Sequence, residues 1–487
     1  MIHFDSENIL LLGSVLLFIS IIASKTSFKL GIPTLILFLI VGMLAGSDGP
    51  GGIYFNDAGT AQFLGVVALT FILFSGGLDT KIESIKPVLK DGIALATIGV
   101  LVTAVLSGLF AAYVLGFTWT EGLLLGAVIS STDAAAVFSI LRSRAVGLKG
   151  NIRPLLEFES GSNDPMAYFL TVSLIDLVKD PNASIGLLIP KFFIGMVIGG
   201  VCGYFSGRAM TWVINRIKLE VEGLYPVLIL ALVFFTFSFT DRIGGNGFLA
   251  VYLSGIILGN SSFIHKKSLI RFYDGQAWLM QIVMFLALGL LVFPSQLMPV
   301  IPQGLLITAF LIFIARPVAV FISLARAHDM NWRKKLFLSW VGLRGAAPIV
   351  FATYPMLAGV HYAGMIFNLV FFISAISVLL QGTTLPVMAK WLHVSVPEKL
   401  KRKFPLDIEL KEDLKTALVE VDIPATSPAV GRPIVDLRLP KNAMIVLIHR
   451  GDKYLTATGE TTIQAGDHML VLTDKTSADW VQQAFIL

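Results

Sequence analysis

Apolar segments long enough to cross a lipid bilayer recur along most of the chain, from Ile9 to Ala389. A membrane-spanning helix needs about 20 predominantly apolar residues, and this criterion predicts about thirteen spans. The composition agrees, because 55% of the residues are hydrophobic and only 14% are charged, whereas soluble domains carry about 25% charged residues. The single cysteine, Cys202, excludes an intramolecular disulfide and a cysteine metal site. The pattern predicts an all-α polytopic membrane domain over residues 1–392.

Two carboxylates interrupt these apolar segments. Asp133 lies in the predicted span Gly122–Leu141, and Asp164 lies in the next span, Leu155–Val178. A charge at the bilayer centre costs about 2.5–3.5 kcal/mol on insertion scales, so such residues are rare and usually mark an ion or proton pathway. A carboxylate such as Asp164 can hold a proton or an alkali cation, and this competition alone couples two fluxes. The alternative for Asp164 is a structural salt bridge to a buried base.

The neighbours of the two carboxylates offer further oxygen atoms. Thr132 supplies a hydroxyl or a main-chain carbonyl beside Asp133, and Asn163 supplies an amide beside Asp164. Such oxygens are the ligands that hard cations prefer. The alternative for Asp133 is a helix cap, because Ser, Thr and Asp are common N-cap residues. The two interpretations of Asp133 are compatible with each other.

A permanently charged base also lies at membrane depth. Arg344 belongs to the predicted span Leu336–Ala358, and a buried charge of this kind needs a partner. Glu159 lies about one helical turn before Asp164, so we predict a structural ion pair between Glu159 and Arg344. A second base, Arg316, has no assigned partner.

An internal repeat relates the two halves of the predicted membrane domain. The segment Leu30–Gly46 resembles Gly244–Gly259 in the spacing of its glycines, and these are the second and ninth spans. Because the offset of seven spans is odd, the matched halves have opposite orientation, which is the inverted-repeat signature of secondary transporters. The same offset pairs the span of Asp133 with the span of Arg344. Polar or helix-breaking residues at mid-depth in both spans predict two crossed broken helices at the binding site.

Basic residues alternate between the two sides of the predicted membrane domain. The loops that follow the odd-numbered spans hold most of the Lys and Arg, whereas the other loops hold little beyond Lys179, Lys191 and Arg242. An excess of Lys and Arg marks the cytoplasmic side. The pattern predicts an outside N-terminus and a cytoplasmic tail. It also explains the net charge of +5 without a nucleic-acid partner.

Three short segments together resemble the NhaP and NHE group of cation/proton antiporters of bacteria and eukaryotes. These segments are Thr132-Asp133, Glu159-Ser160 with Asn163-Asp164, and Gly342-Leu343-Arg344-Gly345-Ala346. The resemblance extends over most of the chain from Ile9 to Lys390. It implies a homodimer in which a core domain moves against a dimer domain, and it implies electroneutral exchange and the same buried ion pair.

The resemblance also implies individual roles in the site. Asp164 is expected to carry the cation and the proton in turn. The residues expected to complete the cation site are Asp133, Thr132 and Ser160. Asn163 is expected to contact the broken helix and to tune access. Several relatives have an acidic residue near the position at which this chain has Ser75. Because serine carries no carboxylate, we expect no third carboxylate in this site.

The composition changes after the last predicted span. A charged linker over residues 393–414 precedes a tail, residues 415–487, that shows strand-like alternation and ends in a predicted helix, Ala478–Leu487. The segments Gly431-Arg432-Pro433-Ile434 and Ala465-Gly466-Asp467-His468 resemble the C-terminal subdomain of RCK (TrkA-C) domains. The resemblance implies a small α+β cytoplasmic regulatory domain that binds an ion or a nucleotide. The alternative is a domain that only stabilises the dimer.

The predicted function is monovalent cation/proton antiport across the bacterial inner membrane by alternating access. The tail favours K⁺ over Na⁺ or Li⁺, because it resembles modules of potassium transport systems. No resident cofactor is expected, since a Gly-x-Gly-x-x-Gly loop of the kind that binds NAD is missing. The alternative within antiport is a Na⁺(Li⁺)/H⁺ antiporter. The first alternative to antiport is a tail-gated cation channel, which needs no titrating carboxylate. The second is an intramembrane aspartyl protease, but Asp133 and Asp164 lie in neither of its Tyr-Asp and Gly-x-Gly-Asp motifs, and we expect no enzyme activity.

Overall fold

The fold is described from a computed structural model of the chain. It describes residues 6–30, 33–180, 185–327, 329–397, 416–424, 426–437, 439–440, 442–451, 453–474, 477 and 480. The chain divides into two compact units, Met1–Leu400 and Lys401–Leu487. The predicted linker lies mostly outside the described residues, and so does nearly all of the predicted closing helix.

The first unit is built from helices. Its α-helices are α1 (Ser6–Leu30), α2 (Thr34–Ala45), α3 (Ala58–Asp79), α4 (Ile82–Ile85), α5 (Leu89–Ala94), α6 (Val100–Val114), α7 (Trp119–Val128), α8 (Ala134–Ser143), α9 (Ile152–Lys179), α10 (Leu188–Ile217), α11 (Leu224–Arg242), α12 (Gly247–Gly259), α13 (Lys266–Leu291), α14 (Pro294–Leu297), α15 (Ile301–Phe310), α16 (Arg316–Ser323), α17 (Trp332–Trp340), α18 (Ala346–Leu357) and α19 (Ala363–Trp391).

Many of these helices are apolar and of membrane-spanning length. In the described part of the chain, seven helical segments are long and apolar enough to cross a membrane: Ala58–Asp79, Ile82–Val114, Leu188–Ile217, Leu224–Arg242, Lys266–Leu291, Pro294–Ser323 and Ala363–Trp391. Shorter apolar helices accompany them, among them Thr34–Ala45 and Gly247–Gly259. The predicted helical membrane fold is therefore confirmed. The count of thirteen spans stays a prediction.

The spans around Asp133 and Arg344 are each broken into two half-helices. α7 ends before residues 129–133 and α8 follows them; α17 ends before residues 341–345 and α18 follows them. We call these two non-helical segments the first break and the second break. The breaks contact each other directly, because the backbone N–H of Asp133 donates to the carbonyl of Leu343 at 2.8 Å. Backbone groups that a helix would satisfy are here satisfied across the crossing, as a low-dielectric interior requires.

Two close helix contacts match each other across the predicted repeat. α2 meets α13 at Gly42, where an added Cβ would lie 3.0 Å from the Cα of Gly289. α3 meets α12 at Gly77, where an added Cβ would lie 3.1 Å from the Cα of Gly255. The first contact joins the second and tenth spans, and the other joins the ninth and third. An offset of seven spans relates the two contacts, which agrees with the predicted repeat.

Two π-helical segments also occupy matching positions. Leu95–Gly99 joins α5 to α6, and Leu311–Ala315 joins α15 to α16. These are the fourth and eleventh predicted spans, again seven apart. π-helical turns inside α-helices are rare and occur frequently at functional sites. The second one places Arg316 at the start of α16.

A short β-ribbon closes the first unit near its C-terminal end. β1 (Val146–Leu148) pairs antiparallel with β2 (Ser395–Pro397), and the N–H of Lys149 donates to the carbonyl of Val394 at 2.9 Å. The sequence assigned residues 395–397 to the linker. Three-residue strands show too little alternation to be recognised in a sequence, so this pairing could not be predicted.

The second unit contains an antiparallel sheet. Its strands are β3 (Thr416–Asp422), β4 (Met444–Arg450), β5 (Lys453–Leu455) and β6 (His468–Asp474), in the order β3-β6-β4-β5. Val421, Ile448 and Met469 lie in its buried core. Asp467 is 1% exposed, and its carboxylate accepts hydrogen bonds from Arg450 and from the N–H of Gln464, each at 2.8 Å. The predicted strands of the tail are present.

Candidate functional site

A cavity of about 620 Å³ in the first unit reaches the predicted site residues. The site residues on its wall are Thr132, Asp133, Ser160 and Asp164. Its wall also carries charged residues from helix ends and loops: Asp79, Lys81, Arg142, Arg153, Glu157 and Asp274. The cavity therefore connects the two carboxylates with the side of the protein on which the basic loops lie.

Asp164 lies in the middle of α9, on the cavity wall. Its side chain is largely buried, with 9% of the residue exposed. The hydroxyl of Ser131, in the first break, donates a hydrogen bond to Oδ1 of Asp164. Pro165 follows inside the helix, and because proline lacks an N–H, the carbonyl of Gly161 loses its helical donor. The carboxylate thus lies where α9 is weakened and where the first break touches it.

Asp133 ends the first break and begins α8. Its side chain accepts a hydrogen bond from the N–H of Ala136 at 3.0 Å, so Asp133 is the N-cap of α8. The same residue lines the cavity and interacts electrostatically with Asp164. The structure therefore combines the two interpretations that the sequence left open. Asp133 is a helix cap, and it faces the space that leads to Asp164.

Three hydrogen bonds tie α9 to the first break beside the carboxylates. The Ser160 hydroxyl donates to the carbonyl of Thr132 and accepts from the N–H of Ala134, both at 3.0 Å. The amide of Asn163 donates to the hydroxyl of Thr132 at 2.5 Å. The oxygens of Thr132 are thus held by donors from α9. A cation in this site would have to compete with these donors for the same oxygens.

The prediction that Glu159 pairs with Arg344 is wrong. Glu159 instead pairs with Arg316, whose Nη2 lies 2.5 Å from Oε1, and both side chains are almost fully buried. Arg344 turns toward the first break, where its Nη1 donates to the carbonyl of Ser131 at 2.7 Å. Arg344 still interacts electrostatically with Glu159. The π-helical segment before α16 brings Arg316 to the carboxylate, and Arg344 satisfies a break carbonyl that has no helical donor.

Sequence reasoning missed two residues of this site. Ser131 is not among the predicted site residues, although it lies two residues before Asp133 and contacts Asp164. Arg316 was recognised as a buried base but received no partner. A signal existed for both, because each is a polar residue inside an apolar span. Ser75 lines the same cavity, at the position where the resemblance implied an acidic residue in several relatives.

This arrangement is suited to holding one small cation or one proton. Two carboxylates and several hydroxyl and carbonyl oxygens face one cavity, and these are hard ligands for an alkali cation. The negative charges repel each other, so protonation or cation binding relieves the repulsion. Both ligands compete for the same oxygens, and both reach them from one side of the protein in this structure.

Two known protein families together match nearly the whole chain. The family described as "Sodium/hydrogen exchanger, transmembrane" matches residues 14–391, and the TrkA-C domain matches residues 418–485. The first unit and the tail thus each match a known family. Both resemblances that the sequence motifs indicated are confirmed.

Similar proteins extend over the same length. The chain is 41% identical over 467 residues to the K(+)/H(+) antiporter NhaP of Alkalimonas amylolytica, which covers 96% of this chain and 81% of that protein. It is 38% identical over 481 residues to the K(+)/H(+) antiporter NhaP2 of Shewanella baltica, which covers 98% of this chain and 83% of that protein. These alignments include both the membrane unit and the tail.

The fold also resembles a solved structure. The sodium proton antiporter MjNhaP1 from Methanocaldococcus jannaschii at pH 8 superimposes with a TM-score of 0.68, covering 78% of this chain and 97% of that chain. At 24% sequence identity, this likeness concerns the fold alone. Taken with the family match over residues 14–391, it shows that the chain belongs to the sodium/hydrogen exchanger family.

Proposed function

We propose that the chain exchanges a monovalent cation, in the first place K⁺, for a proton across a membrane. The observation that carries this proposal is the placement of Asp133 and Asp164 in one cavity, beside the crossing of two broken helices. The preference for K⁺ is supported by two relatives that are named K(+)/H(+) antiporters and are 41% and 38% identical to this chain.

Asp164 is the carrier in this proposal. A cation that enters the cavity meets the carboxylate of Asp164 and the oxygens of Thr132 and Ser160, while Asp133 adds a second negative charge. Binding of the cation requires that the proton leaves Asp164. Whenever access to Asp164 changes sides, its carboxylate is therefore neutralised either by the cation or by the proton. The exchange is one cation for one proton.

The proposed arrangement in the membrane follows from the basic loops. The side that is rich in Lys and Arg is cytoplasmic, so the N-terminus lies outside and the tail lies inside the bacterial inner membrane. The wall of the cavity carries Lys81, from one of these loops, and Arg142 and Arg153, from the ends of α8 and α9 that flank another. The structure then represents the state that is open to the cytoplasm. About thirteen spans, arranged as inverted repeats, complete this topology.

Two assembly features belong to the same proposal. The protein is a homodimer, and its tail regulates exchange by binding a small effector such as a nucleotide. The match of residues 418–485 to the TrkA-C domain supports the second point. A tail that only stabilises the dimer is the alternative. Titration of ATP, AMP and NADH against the purified full chain, read by thermal shift, would distinguish a nucleotide-binding tail from a tail that binds none.

The test of the proposed function is exchange in proteoliposomes. A pH gradient is imposed with K⁺, Na⁺, Li⁺ or choline in the medium, and the internal pH is followed with a fluorescent probe. We expect K⁺ to collapse the gradient and choline to leave it unchanged. Collapse by Na⁺ or Li⁺ but not by K⁺ would change the substrate and keep the mechanism. Cation flux that follows an imposed voltage without proton movement would instead establish a channel.

A further inference from the structure

The short segment 241–246, at the junction of α11 and α12, contacts the turn of α9 that follows Asp164, beyond the end of the cavity. The wall of the cavity follows α9 from Arg153 to Asp164. Tyr168 lies four residues further on, so it is on the same face of the helix, one turn beyond the carrier. Its hydroxyl donates to Oδ1 of Asp241 at 3.4 Å, and the amide of Asn246 donates to the carbonyl of Pro165 at 2.7 Å.

Aromatic rings close the space around this turn. The ring of Tyr168 lies 5.0 Å from that of Phe248, 5.5 Å from that of Tyr354 and 6.0 Å from that of Phe351, measured between centroids. Phe248 belongs to α12, whereas Phe351 and Tyr354 belong to α18, which follows the second break. The cluster therefore packs α18 and α12 against α9. It fills the space one helical turn beyond Asp164.

The two hydrogen bonds differ in how firmly they are anchored. Asn246 is 4% exposed; its N–H donates to the carbonyl of Gly195, and its side-chain oxygen caps α12 at the N–H of Leu249, both at 3.0 Å. Asp241, at the end of α11, is exposed. The bond to Pro165 is therefore a fixed attachment, and the bond between Tyr168 and Asp241 faces solvent and can be exchanged for water or an ion.

We propose that Tyr168 and Asp241 form a second cation site, on the far side of the carrier, which is closed in this state. This inference rests on the proposed exchange, because alternating access requires that the far side opens when the cavity closes. When the hydrogen bond opens, the carboxylate of Asp241 is released as a hard ligand for a monovalent cation, and the phenol oxygen of Tyr168, which also interacts with Tyr354, lies beside it. They are the first such oxygens along this face of α9 beyond Asp164, and they pass the cation to or from the carrier.

The other charged and titratable groups near this turn come from several elements. Tyr354 interacts with Tyr168, and the groups that line the cavity are Asp79, Lys81, Asp133, Arg142, Arg153, Glu157, Tyr252 and Asp274. Glu157 and Asp133 belong to the cavity side. Asp241 is therefore the carboxylate whose removal should act on the far side alone.

The test is a sided measurement of cation affinity with the full chain. Asp241→Asn and wild type are studied in vesicles of known orientation, which is established by the access of protease to the C-terminal domain. The KM for K⁺ is determined on each side in turn. The matched control is Asp176→Asn, because Asp176 is an exposed carboxylate near the same end of α9 and pairs with Lys191 at 2.6 Å. The control should leave both KM values unchanged.

We expect Asp241→Asn to raise the KM on the far side by about three- to tenfold, since a partly exposed charge attracts a cation only moderately. The KM on the cavity side should stay as in wild type, which also shows that the variant is folded. An unchanged far-side KM, or an equal rise on both sides, would overturn the second site. Absence of exchange in wild type would contradict the proposed function instead.

Discussion

The two breaks are alike in their position within a span and opposite in charge. Each break interrupts a span at mid-length, and each is followed by a half-helix that starts at the crossing. The first break ends in Asp133, whose side chain caps α8. The second break ends in Gly345, which offers no side-chain cap, and carries Arg344. The two breaks thus lie at matching places in the predicted repeat, and their side chains divide the work of the site.

The division follows the direction of the hydrogen bonds across the crossing. The second break donates through Arg344 to the carbonyl of Ser131, while the first break donates through its backbone to Leu343. A Cβ added to Gly345 would run into the carboxylate of Asp133. The second break therefore supports the backbone of the first break and leaves room for the carboxylate of Asp133. The first break and α9 supply the oxygen atoms that face the cavity. Variants on each side should have different kinds of effect.

The largest effect is expected on the acidic side. Asp164→Asn should abolish exchange while leaving the protein folded, because an amide of the same shape cannot trade a proton for a cation. Exchange is measured in proteoliposomes, and folding by size-exclusion chromatography and thermal unfolding. Exchange retained at ordinary ion concentrations would remove Asp164 from the carrier role.

The next effect concerns the ion pair beside the crossing. Glu159→Ala or Arg316→Ala alone should destabilise the protein by about 3–5 kcal/mol, because each leaves a buried charge unpaired. The double variant should be much milder than the sum of the two. Stability is compared by thermal unfolding in detergent.

A second double-mutant cycle gives the matched control for this pair. Glu159→Ala combined with Arg344→Ala should show weaker coupling, since Arg344 bonds a carbonyl and not the carboxylate. Stronger coupling to Arg344 than to Arg316 would restore the pairing that the sequence first indicated.

A smaller effect tests the room that the second break leaves. Gly345→Ala should cost about 1–3 kcal/mol, the usual penalty for inserting a methyl group into a packed site, and should slow exchange by displacing Asp133. Gly364→Ala is the matched control, because no heavy atom lies within 4 Å of a Cβ at that position. Equal behaviour of the two variants would mean that the contact with Asp133 does not constrain the site.

The smallest expected effect is the response to voltage. Arg344 is always protonated in proteins, so the basic side of the crossing adds no titrating proton to the cycle. A clamped membrane potential should therefore leave the exchange rate unchanged. A steady current through the purified protein under opposed ion gradients would contradict the one-for-one stoichiometry.

The sequence predicted the parts of the site that depend on local chemistry. A carboxylate in an apolar span is visible without a structure, and so is a polar interruption at mid-depth, which is why Asp133, Asp164 and both breaks could be identified. Asn163 was visible as an amide beside Asp164 and Ser160 entered through the resemblance, and the structure places both against Thr132. The glycines of the close helix contacts, such as Gly42 and Gly255, could also be identified, because their spacing recurs in the two segments of the predicted repeat.

What could not be predicted depends on which neighbour a side chain reaches. Either of two buried arginines could have paired with Glu159, and the structure pairs it with Arg316, which directly follows the π-helical segment before α16. Hydropathy does not reveal that segment. The contact between Ser131 and Asp164 depends likewise on the depth at which α9 crosses the first break. Tertiary packing, and not local preference, decides such pairs.

The β-ribbon of residues 146–148 and 395–397 has a consequence for how this protein can be rebuilt. β2 is the last described part of the membrane unit before the tail. Its partner β1 lies between α8, which Asp133 caps, and α9, which contains Asp164. A chimaera that joins a foreign tail after Pro397 keeps both strands, whereas a junction at Leu392 deletes one. Pro397 is therefore the earliest junction at which the tail can be exchanged without loss of a ribbon strand.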